Sequence, residues 1–207
     1  MPGCGSGGPW PDAAADVISA VARWREAAPD PPGVFVLAVD GHGGSGKTTI
    51  AAAVAGATGA AVVHTDDFFT ETPPAPGVRW PMTGYYDWRR LRAEALEPLR
   101  ARRRASFRRV NWDTGSAPAS LVTVDPAAVI VLEGVFSAAP ELADQVDRAV
   151  FVETPEPERL RRVHARISPE EWDEEWLRAE RAYFRLVRPP SSFDLVVSGT
   201  HGGAAVT

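Results

Sequence analysis

Lysine is almost missing from this chain. Lys47 is the only one among 207 residues, and every other basic side chain is an arginine. An Asn-Lys-x-Asp guanine-reading motif is therefore impossible, which argues against a switch-type GTPase. Cysteine is as scarce. The single Cys4 sits in a Gly-rich start, so neither a disulfide framework nor a Cys-rich metal site can form. A basic surplus is lacking too. The net charge of -5 is the wrong sign for a general nucleic-acid binder. No apolar run is long enough to span a membrane, and no charged-then-apolar leader opens the chain. The expectation is a cytoplasmic protein with no nucleic-acid or membrane partner. Internal repeats are absent, and the length suits one domain, placed at residues 12–207 after a disordered Gly/Pro-rich stretch at 1–11. Oligomeric state is not legible.

What is present begins with Gly41-His42-Gly43-Gly44-Ser45-Gly46-Lys47-Thr48. It fits G-x-x-x-x-G-K-[ST], the Walker A or P-loop pattern. Glycines let the backbone wrap a polyphosphate, because they tolerate positive φ and carry no Cβ to block close approach. Gly41, Gly43, Gly44, Ser45, Gly46, Lys47, Thr48 and Thr49 are the expected nucleotide-binding residues. Their backbone N–H groups and the following helix N-terminus would face phosphate oxygens. Lys47 would reach the β- and γ-phosphates, and the Thr48 hydroxyl would ligate Mg²⁺. A continuous apolar run at 34–39 precedes the motif, and an Ala-rich helical stretch at 49–55 follows it. Strand, glycine loop and helix are the setting the motif requires. The lone lysine falls where a compact ammonium is needed.

The rest alternates strands and helices. An amphipathic helix is expected at 12–27, and a short strand at 61–64 ends in Thr65-Asp66-Asp67-Phe68-Phe69. Carboxylates at the carboxyl end of a strand in an open α/β sheet lie where ligands bind. Residues 72–82 read as a Pro/Gly loop, and 88–103 as a helix that Pro98 should bend. The stretch 107–113 reads either as a pocket wall or as an exposed hairpin. A second apolar strand, 129–132, ends in Glu133, the carboxylate a Walker B site offers to Mg²⁺ and its waters. A strand at 149–152 precedes Thr154-Pro155, read as an N-cap with Pro at the first helical position. The helix runs to Arg166, with Arg159, Arg162 and Arg166 on one face. Ser168-Pro169-Glu170-Glu171 caps a further helix carrying Trp172, Trp176, Ala179 and Tyr183 on a core-packing stripe. A last strand lies at 194–197. The fold class is α/β: a P-loop NTPase three-layer sandwich, with a mostly parallel sheet of about five strands, helices on both faces and a short helical lid. The four histidines show no metal-ligand spacing.

These parts amount to phosphoryl transfer, which needs positioning and charge stabilisation. Asp66 at a neighbouring strand end would accept a hydroxyl proton. The chain resembles the uridine kinase and nucleoside kinase group of P-loop kinases, which includes nicotinamide riboside kinase. The marks are Gly41 to Thr48, Thr65-Asp66-Asp67-Phe68-Phe69, Tyr86-Asp87, Glu133-Gly134 and Arg161-Arg162. The resemblance implies ATP and Mg²⁺ as cofactors and a small-molecule alcohol as acceptor. It implies Asp66, Lys47 and Arg162 as catalytic residues, with Asp66 the base for a ribose 5′-hydroxyl. Asp87 would hold the 2′- and 3′-hydroxyls, Arg162 the ribose or phosphate, and Arg166 the ATP phosphates. Phe68, Tyr86 and Trp112 would pack against the base. Two departures stand out. After the arginine pair the lid turns acidic at once, and residues 116–120 hold no histidine where uridine kinases read the pyrimidine. The acceptor could instead be pantothenate, a sugar or a specialised metabolite. An ATP-binding regulatory protein with no acceptor is the reading from another class.

Overall fold

A computed structural model describes residues 11–28, 33–70, 85–109, 120–166 and 174–200. The expected disordered start, the 72–82 loop, Trp112 and the 168–171 capping box lie outside the described residues.

The sheet is built from β1 (Phe35–Asp40), β2 (Ala61–His64), β5 (Val129–Glu133), β6 (Arg148–Glu153) and β7 (Leu195–Ser198). Their order is β2-β5-β1-β6-β7, and every pairing is parallel. β1 and β5 are buried along their whole lengths, as strands covered by helices on both faces must be. The two-residue side-chain period then divides the core in two. Phe35, Leu37 and Val39 face α1 (Pro11–Glu26) and α2 (Lys47–Thr58), meeting Val17, Val21, Ile50 and Val54. Val36, Ala38, Ile130 and Leu132 join the opposite core. There they share a cluster with Leu91, Leu96 and Leu99 of the 88–100 helix and with Ala179, Tyr183 and Phe184 of α6 (Glu174–Leu186). The expected three-layer α/β sandwich is what the chain forms.

Two local features differ from the sequence reading, and a third decides between alternatives it left open. The helix expected at 88–103 runs through α3 (Trp88–Arg90), a π-helical segment (Leu91–Leu96) and α4 (Glu97–Arg100). Pro98 does not break it. Regular α geometry is interrupted by the π segment just before it, and Pro98 stands in the first turn of α4. The 107–113 stretch enters a hairpin: β3 (Ala105–Arg108) pairs antiparallel with β4 (Leu121–Val124) in a separate two-stranded sheet. Thr154 does not cap α5 (Glu156–His164), because no side chain caps that helix and Pro155 takes the N-cap position. The Thr154 hydroxyl donates instead to the Ser45 carbonyl at 2.9 Å. Among the described residues, no helix is long and apolar enough to cross a membrane.

Candidate active site

Strand order decides which residues meet. β5 lies between β2 and β1, with Glu133 opposite both His64 and Val39. The carboxyl ends of three adjacent strands therefore bring together Asp40 and the glycine loop, His64 with Asp66, and Glu133. The loop itself runs from β1 into α2. Gly44 and Gly46 have φ of +76° and +103°, a region L side chains avoid. A Cβ on Gly44 would stand 2.5 Å from the Arg159 carbonyl oxygen, so α5 packs directly on the loop.

Lys47 is nearly buried, and its Nζ donates to the His42 carbonyl at 2.9 Å. The Thr48 hydroxyl donates to Glu133 Oε1 at 3.0 Å, and Thr49 N–H donates to the Gly46 carbonyl at 3.1 Å in the first turn of α2. The two residues expected to manage Mg²⁺ are thus in direct contact. The other Glu133 oxygen lies 2.7 Å from His64 Nδ1. Burial pushes the Glu133 carboxyl up, but His64, Lys47 and Thr48 outweigh it and hold the group below its ordinary range. The same Glu133 contact, against the opposing effect of burial, raises His64. An ionised Glu133 beside a hydroxyl and the glycine loop suits a magnesium–polyphosphate pair. Thr48 would bind the metal directly, with Glu133 holding its waters.

Asp66 sits in the 3₁₀ turn Thr65–Phe68 that ends β2. Its side chain is exposed to solvent at the carboxyl edge of the sheet, and neighbouring atoms still crowd the carboxyl. That crowding raises its pKa, while Lys47 acts to lower it and Glu133 to raise it. Tyr86 is buried, and its hydroxyl donates to Asp66 Oδ1 at 3.1 Å. Tyr86, expected to pack against a base, instead packs its ring on Trp88, Phe136 and Trp176 and orients Asp66. Asp87 is exposed, and its Oδ1 caps α3 by accepting the Arg90 N–H at 2.9 Å.

Other expected residues lie elsewhere. Phe68 is fully buried, 4.7 Å from Phe107 and 4.8 Å beneath the Arg90 guanidinium, so it packs core and not a base. Arg162 turns onto the loop: Nη1 donates to the carbonyls of Gly44 at 3.2 Å and Gly199 at 2.9 Å, and Nε to Glu158 at 2.8 Å. Arg166 is exposed just past the end of α5.

Two buried carboxylates escaped the sequence reading. Asp40 ends β1 and accepts from the N–H groups of Gly41, Phe136 and Ala138 and from the Tyr183 hydroxyl. Burial raises its pKa to about 6 despite these four donors. Its signal was available: an acidic residue closing an apolar strand, as Glu133 does. Glu180 of α6 is completely buried and accepts from Gly43 N–H at 3.1 Å. Its position one turn after Trp176, on the apolar stripe, was the hint.

An open parallel sheet with a glycine loop between its first strand and second helix defines a P-loop nucleotide-binding protein. A sequence family described as "AAA domain" matches residues 36–187, most of the chain, and the protein belongs to that family. A uridine kinase of Deinococcus deserti is 31% identical over 128 residues, covering 58% of this chain and 61% of the relative. The chain thus spans about three fifths of the length of that curated relative. A structure described as a possible uridine kinase from Bacillus stearothermophilus superposes with a TM-score of 0.65 at 22% identity, covering 90% of this chain and 97% of that one. D-glycerate 3-kinase from Cryptococcus neoformans var. grubii gives 0.50 at 16% identity, covering 87% and 86%. At these identities the two structures speak for the fold. The family match and the relatives bear out the uridine kinase-like P-loop resemblance read in the sequence.

Proposed function

We propose that this protein is an ATP- and Mg²⁺-dependent kinase that phosphorylates a primary alcohol, the 5′-hydroxyl of a nucleoside. One observation carries the reading. The Thr48–Glu133 contact and the Tyr86-held Asp66 sit at the carboxyl ends of neighbouring strands, both within the electrostatic reach of Lys47. A protein that only binds nucleotide has no use for Asp66 there. When bound, magnesium neutralises phosphate charge and orients the polyphosphate. Lys47 adds a compact positive charge where negative charge gathers on the transferring group. Asp66 takes the hydroxyl proton as the acceptor oxygen bonds to the γ-phosphorus and the bond from that phosphorus to ADP breaks, and its raised pKa makes it a stronger base than an ordinary aspartate. Tyr86 holds one Asp66 oxygen and leaves the other for the acceptor. The relative named uridine kinase supports a nucleoside acceptor.

A second reading keeps the chemistry and changes the acceptor. It is favoured by residues 116–120, which hold no histidine. The deciding experiment measures ADP release from Mg·ATP against ribonucleosides, deoxyribonucleosides, nicotinamide riboside, pantothenate and sugars, with Lys47→Ala as blank. A nucleoside that raises the rate and gains a phosphate by mass spectrometry supports the first reading. Phosphorylation of another alcohol alone supports the second. ATP binding with no phosphorylated product overturns both.

A further inference from the structure

Glu180 is a carboxylate with no exposed surface, yet it is surrounded by donors. Gly43 N–H reaches its Oε1 at 3.1 Å and its Oε2 at 3.3 Å. His42 Nδ1 lies 3.1 Å from Oε2, and the Trp176 indole N–H donates to Oε1 at 2.7 Å. Arg159, itself 3% exposed, brings Nη1 within 3.8 Å of Oε2, and that Nη1 makes no hydrogen bond among the described residues. Burial alone would raise the pKa of this carboxyl, but His42, Lys47 and Gly43 draw it below its ordinary value, so Glu180 is ionised. A helix outside the phosphate loop thus places a full negative charge on two consecutive loop residues.

Trp176 continues the chain of contacts. Its ring lies 6.2 Å from that of Tyr86, 5.9 Å from Phe69 and 5.4 Å from Phe136. Tyr86 in turn holds Asp66. Glycine loop, Glu180, Trp176, Tyr86 and Asp66 form one packed line from the donor side of the site to the acceptor side.

We propose that Glu180 is a positioning residue that fixes the His42–Gly43 segment and, through Trp176 and Tyr86, couples filling of the phosphate loop to the orientation of Asp66. The functional meaning of Asp66 rests on the kinase reading; the coupling itself does not. Spatial continuity is not coupling, so the test must read a response.

The full-length protein is labelled with ¹⁵N, and the Gly43 amide and Trp176 indole resonances are followed during titration with Mg·ADP. In the wild type both shift, with one common Kd. Glu180→Gln weakens Mg·ADP binding by about tenfold, the effect of losing charge-assisted hydrogen bonds. Trp176→Phe keeps an aromatic ring but removes the indole donor and part of the ring contact with Tyr86, Phe69 and Phe136. It moves the Gly43 amide before any nucleotide is added. The double variant binds no more weakly than Glu180→Gln alone, because the two act as a unit. A Trp176 indole that ignores bound Mg·ADP overturns the proposal, and so do additive losses. If Glu180→Gln does not fold, Trp176→Phe decides: an unmoved Gly43 amide sinks the coupling. Failure of the wild type to bind Mg·ADP would instead defeat the kinase reading, while the nucleotide-free Gly43 response still judges Glu180.

Discussion

Asp66 and Asp40 are both carboxylates whose pKa is raised by their surroundings, and they should behave in opposite ways on mutation. Asp66 is exposed at the sheet edge with Tyr86 on one oxygen. Asp66→Asn removes the proposed base and keeps the shape. Turnover should fall about a hundredfold or more while the Kd for Mg·ADP stays within a factor of about two. Equal loss of both would make Asp66 a structural or metal-binding group. Asp40 has no route to a substrate and four donors to satisfy. Its folded pKa of about 6 lies above the ordinary 3.8, so the folded state binds the proton more tightly than the unfolded one. Its contribution to stability is therefore greatest below pH 4 and falls as pH rises through 6. Asp40→Asn cannot titrate. The stability of the wild type minus that of Asp40→Asn, from urea unfolding, should shrink by roughly 2 kcal/mol between pH 4 and 7. A difference independent of pH would show that Asp40 is ionised throughout.

The glycine loop is held from outside, by elements far along the chain. Thr154, between β6 and α5, donates to the Ser45 carbonyl, and Arg162 of α5 donates to the Gly44 carbonyl. Gly199, just past β7, approaches so closely that a Cβ would stand 1.9 Å from the Ser45 oxygen. Arg162 also donates to the Gly199 carbonyl, which closes the clamp. These contacts give Arg162 a testable double identity. If it chiefly holds the loop, Arg162→Ala should weaken binding of Mg·ADP, which has no γ-phosphate, by about tenfold and lower Tm together. If it acts only on the transferring phosphoryl group, Mg·ADP binding and Tm should be untouched and only turnover should fall. Gly199→Ala tests the same clamp by pressure instead of deletion. With backbone on the far side, the loop must shift, and both Tm and nucleotide affinity should drop.

Across the whole molecule, the loop joins the two cores: β1 feeds it, α2 leaves it on one face, and α6 closes on it from the other through Glu180. A ligand in the loop therefore stabilises both layers. At about 100 times its Kd, Mg·ADP should add about 2.7 kcal/mol to stability. For a chain of this length that raises Tm by roughly 5–10 °C. Lys47→Ala should lose most of this rise while keeping nearly the same Tm without nucleotide. A ligand-independent drop in the variant would mean that the Lys47–His42 contact holds the loop together by itself. The uneven layout also shows which parts were legible. Apolar runs announced the strands β1, β5 and β6 because both sheet faces are covered, so the residues between their charged ends had to be apolar. The β3–β4 hairpin was legible only as one of two alternatives for 107–113: only one face is buried in β3, and β4 is exposed or half-buried throughout.

Local chemistry alone sufficed for the strand–loop–helix unit, the identity of Lys47 and Thr48, and the acidic strand ends Asp66 and Glu133. Each depends on residues within a turn or two: glycine for backbone freedom, apolar runs for burial, a carboxylate where the burial stops. Strand order was beyond such reasoning, because pairing of β5 between β2 and β1 joins segments about seventy to ninety residues apart. That order alone puts Glu133 against both Thr48 and His64. The same holds for Thr154, Arg162 and Glu180. Their residue types are ordinary for a cap, a surface helix and a packing stripe. Only the packing of α5 and α6 onto the glycine loop turns a hydroxyl, a guanidinium and a buried carboxylate into the groups that shape it, since a hydrogen bond over that separation is decided by where whole elements come to rest.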